Sequence, residues 1–326
     1  MQPTLSRTRL ILTLSLFLIA ALSIALASLC LGSTNYRPWQ LWAGGQESEL
    51  AREIVFSLRL PRTIAAFAVG GLLALAGTLQ QVLLRNPLAD PYILGTSGGA
   101  SVGALTAILL GAGVVVINLA AGAGALAVIL VVFLLAGRDR STNQARLLLT
   151  GVALAAFCGA ATSLLLSIAP HGLLAGMVFW LLGDLGSAQW PLALSTLAIL
   201  LVLVWPLARS INLLSLGMQP AHALGIDTRR LQWQLYFVSA AATAVAVTTA
   251  GMIGFVGLIV PQALRLVFGQ EQRLLLPACI LAGGSVLLLA DIACRIVLAP
   301  QQLPVGVMMA VFGVPVFLWL LRQRTR

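Results

Sequence analysis

Between Tyr92 and Gly137 the chain runs for 46 residues without a charged side chain. A membrane-spanning helix needs about 20 apolar residues, so this run is too long for one span and matches two. The pattern predicts a turn between them near Gly111, Ala112 and Gly113. Because only 9% of all residues are charged and 60% are hydrophobic, no soluble fold could bury the apolar surface. The sequence therefore predicts an all-α, polytopic membrane protein.

The remaining apolar runs predict the other spans. They lie at about residues 10–32, 60–84, 147–169, 189–208, 274–294 and 304–321. The stretch 231–264 holds 34 uncharged residues, which is between one span and two. Two spans there give ten in total and place both arginine-bearing termini in the cytoplasm, as short arginine-rich ends require. Residues 170–188 are too short and glycine-rich for a span and predict a re-entrant or surface helix.

The charges test this ten-span topology. All nineteen basic residues are arginine, and the net charge is +10. The topology places fourteen arginines inside and five outside, so that the inside carries a net charge of +10 and the outside none. This asymmetry is the usual orientation signal of membrane proteins, and it argues against nucleic acid as a partner. The uncharged run after Arg9 is longer than a signal-peptide core and predicts a retained first span.

One segment, residues 209–230, differs from everything around it. It is short and polar, is broken by Gly217, Pro220 and Gly225, and has arginines at both ends. Such a segment cannot span a bilayer, and its arginines place it in the cytoplasm. We predict two short helices with a kink between them, at which an external motor acts on the membrane domain.

The spans themselves carry no visible source of energy. Their centres lack the Asp, Glu or His that ion-coupled transporters place in the membrane, and Asp291 lies one turn before Arg295, where an i, i+4 pair is expected. A self-powered secondary transporter is therefore the weaker alternative. The phosphate-binding pattern GxxxxGK[ST] is also absent. An intramembrane enzyme or a metal site would need partners for His171 and His222, which the topology places far apart.

Two features leave alternatives open. Arg59, Arg62 and Arg295 fall at outer ends of spans, where they either contact lipid headgroups or dock acidic residues of an extracytoplasmic partner. Glycines and alanines at small-residue spacing, including Gly98 and Gly103, either allow close helix packing or line a wide path.

Motifs along nearly the whole chain resemble those of one protein family and occur in the same order. They include LRLPRTIAAFAVGGLLALAGTLQQVLLRNPLADPYILGTSGGASVGA (58–104), LLLTGVAL (147–154), FWLLGDLGSAQW (179–190), GMIGFVGLIVPQALRL (251–266) and LPVGVMMAVFGVPVFLWLL (303–321). The chain resembles the permeases of the FecCD-type family of ABC importers, which take up iron–siderophores, haem and vitamin B12.

The resemblance implies a type II ABC importer permease with ten transmembrane helices per subunit, built as a single membrane domain over residues 1–326. It implies a homodimer with two cytoplasmic ATPase subunits, which bind ATP and Mg²⁺, and a periplasmic substrate-binding protein. The permease itself would bind no cofactor and catalyse no reaction. It would lie in the bacterial inner membrane with both termini in the cytoplasm. Overall likeness favours vitamin B12 as cargo, with iron–siderophore or haem as the alternative.

The resemblance also implies roles for individual residues. The ATPase-coupling residues would be Leu213, Leu216, Gly217, Met218, Ala221, Ala223, Leu224 and Gly225. The arginines that dock the binding protein would be Arg59, Arg62 and Arg295, and the inner gate would comprise Asn86, Leu88, Thr142, Asn143 and Gln144. Two positions depart from the family pattern, because Gln262 and Gln272 stand where many members have histidine.

Overall fold

The computed structural model describes residues 7–32, 46–136, 144–186 and 188–324, and within these ranges the regular structure is helical throughout. The helices are α1 (Arg7–Cys30), α2 (Gln46–Glu53), α3 (Leu60–Leu83), α4 (Thr96–Leu109), α5 (Val114–Ala136), α6 (Gln144–Ile168), α7 (His171–Leu182), α8 (Trp190–Val204), α9 (Ala208–Leu216), α10 (Met218–Ala223), α11 (Thr228–Ala250), α12 (Val256–Phe268), α13 (Gln272–Ile296) and α14 (Val305–Arg324). A π-helical turn (Ile54–Arg59) joins α2 to α3, and a 3₁₀ turn (Pro91–Leu94) precedes α4. The all-α prediction is confirmed.

Seven helical stretches of the described chain are long and apolar enough to cross a membrane. The other three predicted spans coincide with helices α4, α11 and α12, so the predicted count of ten is close to what the structure shows. Helices α4 and α12 have only 14 and 13 residues, which at 1.5 Å per residue cross part of a bilayer. A 3₁₀ turn precedes α4 and irregular backbone at 251–255 precedes α12, and a membrane domain tolerates such backbone where it is packed inside the protein. The turn at Gly111 and the short helix α7 also lie where the sequence predicted them.

Helix α3 forms the centre of the bundle. It is almost wholly buried and packs against α8, α11, α12 and α13. Glycines allow this approach: a Cβ on Gly77 would lie 1.9 Å from the Gly257 carbonyl oxygen of α12, and one on Gly70 would lie 2.4 Å from that of Gly283 in α13. Close contact between backbones replaces the hydrophobic driving force that is absent between helices in lipid.

Two smaller cores lie among α4, α5, α6 and α11. A Cβ on Gly103 would lie 2.1 Å from the Ala120 carbonyl oxygen, whereas one on Gly159 in α6 would meet nothing within 4 Å. Close helix packing is thus the role of the small residues on α4, and Gly159 lies on an open face. The hydroxyl of Tyr236 in α11, itself buried, donates to the Ile129 carbonyl oxygen at 3.0 Å and ties α11 to α5.

Candidate functional site

The segment 209–230 folds as the two short helices that the sequence predicted. Helix α9 ends at Leu216, and α10 begins at Met218. Between them Gly217 has φ 135° and ψ 158°, a conformation that favours glycine, so the kink lies at this residue. Ile211, Leu214 and Ala221 are buried against the bundle, while the Leu216 and Leu224 side chains remain 69% and 61% exposed.

The eight predicted coupling residues divide by exposure. Gly217 and Ala221 are buried, Leu213 and Met218 are half-buried, and Leu216, Ala223, Leu224 and Gly225 are exposed. The exposed members include two large apolar side chains at the foot of a membrane domain, which is typical of a surface that a partner covers. The buried members attach this surface to the rest of the protein.

Asn212, which sequence reasoning did not single out, links this segment to α13. Its amide nitrogen donates to the Glu271 carboxylate at 2.8 Å, and its amide oxygen accepts the Gln272 N–H at 2.9 Å. The contact joins residues 59 and 60 positions apart and fixes α9 to the first turn of α13. Helix α9 is therefore attached directly to a long helix of the core.

The loop after α3, which contains the predicted gate residues Asn86 and Leu88, is internally ordered. The Asn86 side-chain oxygen accepts the Leu88 N–H at 2.9 Å, and the Ala89 N–H donates to the Asn86 carbonyl oxygen at 3.0 Å. Leu88 is 39% exposed. Arg85, at the start of the loop, has a positive φ of 48°, which is uncommon for a residue other than glycine.

Gln81 connects this loop to α12. Its amide nitrogen lies 3.3 Å from each of three carbonyl oxygens, those of Ala89 in the loop and of Gly257 and Leu258 in α12. Its amide oxygen accepts a hydrogen bond from the Arg265 guanidinium, which also donates to the Thr78 carbonyl oxygen at 3.4 Å. These contacts tie the loop and the adjoining ends of α3 and α12 to one another.

The loop and the two-helix segment are neighbours. A Cβ built on Gly217 would lie 3.9 Å from a terminal nitrogen of Arg85. The remaining predicted gate residues, Thr142 and Asn143, lie outside the described ranges. Gln144 is the first residue of α6, and its side chain is not described.

Asp90 follows in the same loop and is half-buried. It caps the 3₁₀ turn by accepting the Tyr92 N–H at 2.8 Å. Desolvation by burial raises the pKa of the Asp90 carboxyl to about 6, and the hydrogen bond from Tyr92 lowers it by less. This carboxyl therefore takes up a proton in the folded protein at a pH where it stays ionised in the unfolded chain.

At the opposite end of the bundle Arg62, Asp291 and Arg295 meet. The Asp291 carboxylate is fully buried and lies 2.7 Å from Arg62 Nε and 3.0 Å from Arg295 Nε. The expected i, i+4 pair is confirmed, and Arg62, 229 positions away, joins it. Arg295 also donates to the Ser28 hydroxyl at 2.7 Å and to the Ser28 and Leu31 carbonyl oxygens at 3.1 Å, which fixes α1 to α13.

Arg59 lies beside this group. Its guanidinium donates to the carbonyl oxygens of Leu29 and Cys30 at 2.9 and 3.2 Å. Arg59, Arg62 and Arg295 line one cavity of about 120 Å³ together with Gln302, whose side-chain oxygen accepts from Arg62 Nη1 at 2.5 Å. The structure thus brings together all three arginines that were predicted to dock a binding protein. It also buries most of each side chain, which the sequence did not indicate.

The model of the FecCD transport family matches residues 16–323. This chain belongs to the FecCD transport family. The family recognised from the motifs is therefore confirmed, and with it the function class of a multi-pass membrane permease. As a FecCD permease, the chain is similar over 323 residues, at 39% identity, to the vitamin B12 import system permease protein BtuC of Salmonella arizonae, covering 98% of this chain and 95% of that protein. BtuC of Salmonella typhi is also 39% identical, with 98% and 96% covered.

Two solved structures have the same fold. One, described as an inward-facing conformation of a metal-chelate type ABC transporter, superposes with a TM-score of 0.86 at 30% identity and covers 95% of this chain and 99% of its own. The other is PsaBC from Streptococcus pneumoniae in complex with Fab, with a TM-score of 0.58, 15% identity and 84% and 94% covered. At that identity the second structure shows a shared fold alone.

Proposed function

We propose that this FecCD permease is the membrane subunit of an ATP-driven ABC importer that carries vitamin B12 across the bacterial inner membrane. It acts as a homodimer, with both termini in the cytoplasm. Two cytoplasmic ATPase subunits supply the energy, and a periplasmic binding protein delivers the cargo. The vitamin B12 assignment is supported by relatives that carry this name at 39% identity over nearly their whole length.

One observation carries the coupling role: an exposed two-helix surface lies beside the loop of Asn86 and Leu88 and is braced to the core. Leu216 and Leu224 present apolar area outward, Asn212 fixes α9 to α13, and Arg85 lies next to Gly217. A force applied to α9 and α10 therefore reaches both a long core helix and the loop at the inner end of α3.

Reconstituted transport tests this coupling. We expect Leu216→Asp to abolish ATP-dependent uptake by proteoliposomes that hold permease and ATPase, because a charge on this surface prevents apolar contact with the ATPase. Leu110→Asp is the matched control, since Leu110 is 79% exposed at the turn after α4, on the opposite side of the predicted membrane. Normal uptake by the Leu216 variant would reject the coupling surface.

The outer arginine group supports docking of the binding protein. Arg62 and Arg295 share the Asp291 carboxylate, and Arg59 lines the same cavity, so an acidic side chain that enters this cavity would meet three guanidiniums. An acidic residue of a partner would balance part of this positive charge. The buried contacts of Arg295 with α1 also mean that reversing its charge would disturb folding as well as docking.

A variant at the cavity edge avoids this difficulty. Gln302→Glu places a carboxylate next to Arg62 and competes with the partner's acid, so we expect binding of the periplasmic protein to weaken about three- to tenfold at low salt. Gln301→Glu adds the same charge one residue away, outside the cavity lining, and serves as control. Equal affinities of the two variants would reject the arginine group as the docking site.

The cargo is tested by competition. Proteoliposomes with the ATPase and the binding protein should take up labelled cyanocobalamin, and excess unlabelled cyanocobalamin should suppress this uptake. Uptake of an iron–siderophore or haem in its place would assign the alternative cargo while leaving the permease class intact.

A further inference from the structure

A second polar cavity lies at the cytoplasmic end of the bundle. Its volume is about 260 Å³, and it opens between the end of α3, the end of α9 and the connection from α12 to α13. Its lining includes Arg85, Ser215, Gln262, Arg265 and Gln272. The two glutamines are the positions at which the sequence departs from the family pattern, and they lie 177 and 187 residues beyond Arg85 in the chain. Only the fold brings these groups together.

The chemistry of this lining suits an anion. Two guanidiniums contribute to it, and its described lining contains no carboxylate. The nearest acid in sequence, Glu271, is held by the Asn212 amide. Gln272 is 1% exposed, and its side-chain oxygen has no hydrogen-bond partner among the described residues. A buried amide oxygen without a partner is costly, and rotation of this amide would put its NH₂ group in the place of the oxygen, where an anion in the cavity could accept from it.

The position of the cavity indicates where the anion comes from. Ser215 belongs to α9, Pro87 belongs to the loop after α3, and Arg85 lies beside Gly217. The cavity is therefore continuous with the exposed surface of Leu216 and Leu224. A protein that covers this surface would place its own side chains at the mouth of the cavity.

We propose that this cavity receives an acidic side chain of the ATPase subunit, held between Arg85 and Arg265. The proposal rests on the coupling role proposed above and extends the ATPase contact from α9 and α10 to the loop after α3. Arg265 donates to Gln81, and Gln81 holds the Ala89 carbonyl oxygen of that loop. Insertion or withdrawal of the acid would act on the loop directly, by a route separate from the kink at Gly217.

Charge reversal at Arg85 tests the proposal in the assembled transporter. We expect Arg85→Glu to weaken the association of purified permease and ATPase, in neutral detergent at low salt, about ten- to a hundredfold. Arg322→Glu is the matched control, because Arg322 is exposed near the end of α14 and does not line the cavity. We also expect one acid-to-arginine replacement on the ATPase surface to restore the affinity of the Arg85 variant.

A neutral variant guards against misfolding. Arg85→Asn removes the charge and tolerates the positive φ of 48° at this position, and it should weaken association to a smaller extent. If Arg85→Glu does not fold, the association of the Arg85→Asn variant with the ATPase is measured instead.

The outcomes separate the two proposals. If Leu216→Asp loses the ATPase while both Arg85 variants bind it as Arg322→Glu does, the cavity proposal is overturned and the coupling surface stands. If Leu216→Asp also binds normally, both are overturned. A defect of the Arg85 variants that arises only in nanodiscs with anionic lipid would identify a lipid headgroup as the occupant and would also overturn the proposal.

Discussion

The buried group of Arg62, Asp291 and Arg295 makes a strong prediction about stability. Replacing Asp291 by Asn keeps the size of the side chain and removes the one carboxylate that two buried guanidiniums share. Arg295 retains its three contacts with α1, at 2.7 to 3.1 Å. Among the described residues, Arg62 retains Gln302 and the neutral amide oxygen of the new residue. The loss of charge compensation therefore affects mainly the Arg62 guanidinium.

The magnitude follows from the burial of the three side chains. Asp291 is 0% exposed, Arg295 4% and Arg62 9%, so little water can replace the lost charge. Removing one partner of a buried ion pair costs about 3–5 kcal/mol, because the remaining charge stays buried without compensation. Since the amide oxygen of Asn still accepts a hydrogen bond, we expect the free energy of unfolding to fall by about 3 kcal/mol.

Reversible unfolding of the isolated permease in mixed micelles of a mild detergent and SDS measures this change. Glu271→Gln is the control, because its amide oxygen can still accept the Asn212 N–H, and we expect a loss of less than about 1 kcal/mol. Replacing the group as a whole (Arg62→Met, Asp291→Leu and Arg295→Met) should cost less than Asp291→Leu alone, since no buried charge remains unpaired. An Asp291→Asn variant within about 1 kcal/mol of the unmodified protein would refute the reasoning.

Three further predictions concern other parts of the fold. Gly77→Ala should prevent accumulation of folded protein, because its Cβ would lie 1.9 Å from the Gly257 carbonyl oxygen, whereas Gly176→Ala, with nothing within 4 Å, should leave the yield unchanged. Burial raises the pKa of Asp90 to about 6, so the folded state binds this proton more tightly, and the protein should gain stability relative to Asp90→Asn as pH falls from about 7 to 5. If the difference in unfolding free energy between the two proteins is the same at about pH 7 and about pH 5, this prediction is wrong. Tyr236→Phe should lower the free energy of unfolding by about 1 kcal/mol in the same micelle assay, with no effect on the pH dependence.

The prediction of the spans succeeded because it relied on local properties. Segment length, hydropathy and the positions of arginines can be read from each stretch of sequence without knowledge of the fold. They located the turn near Gly111, the kink near Gly217 and the division of 231–264 into α11 and α12. The pair of Asp291 and Arg295 was predictable for the same reason, since residues four apart on a helix face each other. The family motifs added the roles of residues that no local property distinguishes.

Contacts between distant parts of the chain could not be predicted in this way. No periodicity in the sequence indicates that Arg62 pairs with Asp291, 229 positions away, or that Asn212 contacts the start of α13. Nor does it indicate that Gln81 joins the loop after α3 to α12. These contacts depend on which helix faces meet, and that is decided by the packing of glycines and small side chains around α3.

The sequence by itself thus determined a multi-pass helical permease with a short polar two-helix segment at residues 209–230. Only the tertiary structure decided that Arg62 and Arg295 are buried around one carboxylate, and that Arg85, Gln262 and Gln272 line one cavity beside that two-helix segment. The physical reason is that hydropathy and charge decide the placement of each segment separately. A site forms only where packing brings side chains from several segments within hydrogen-bonding distance of one another.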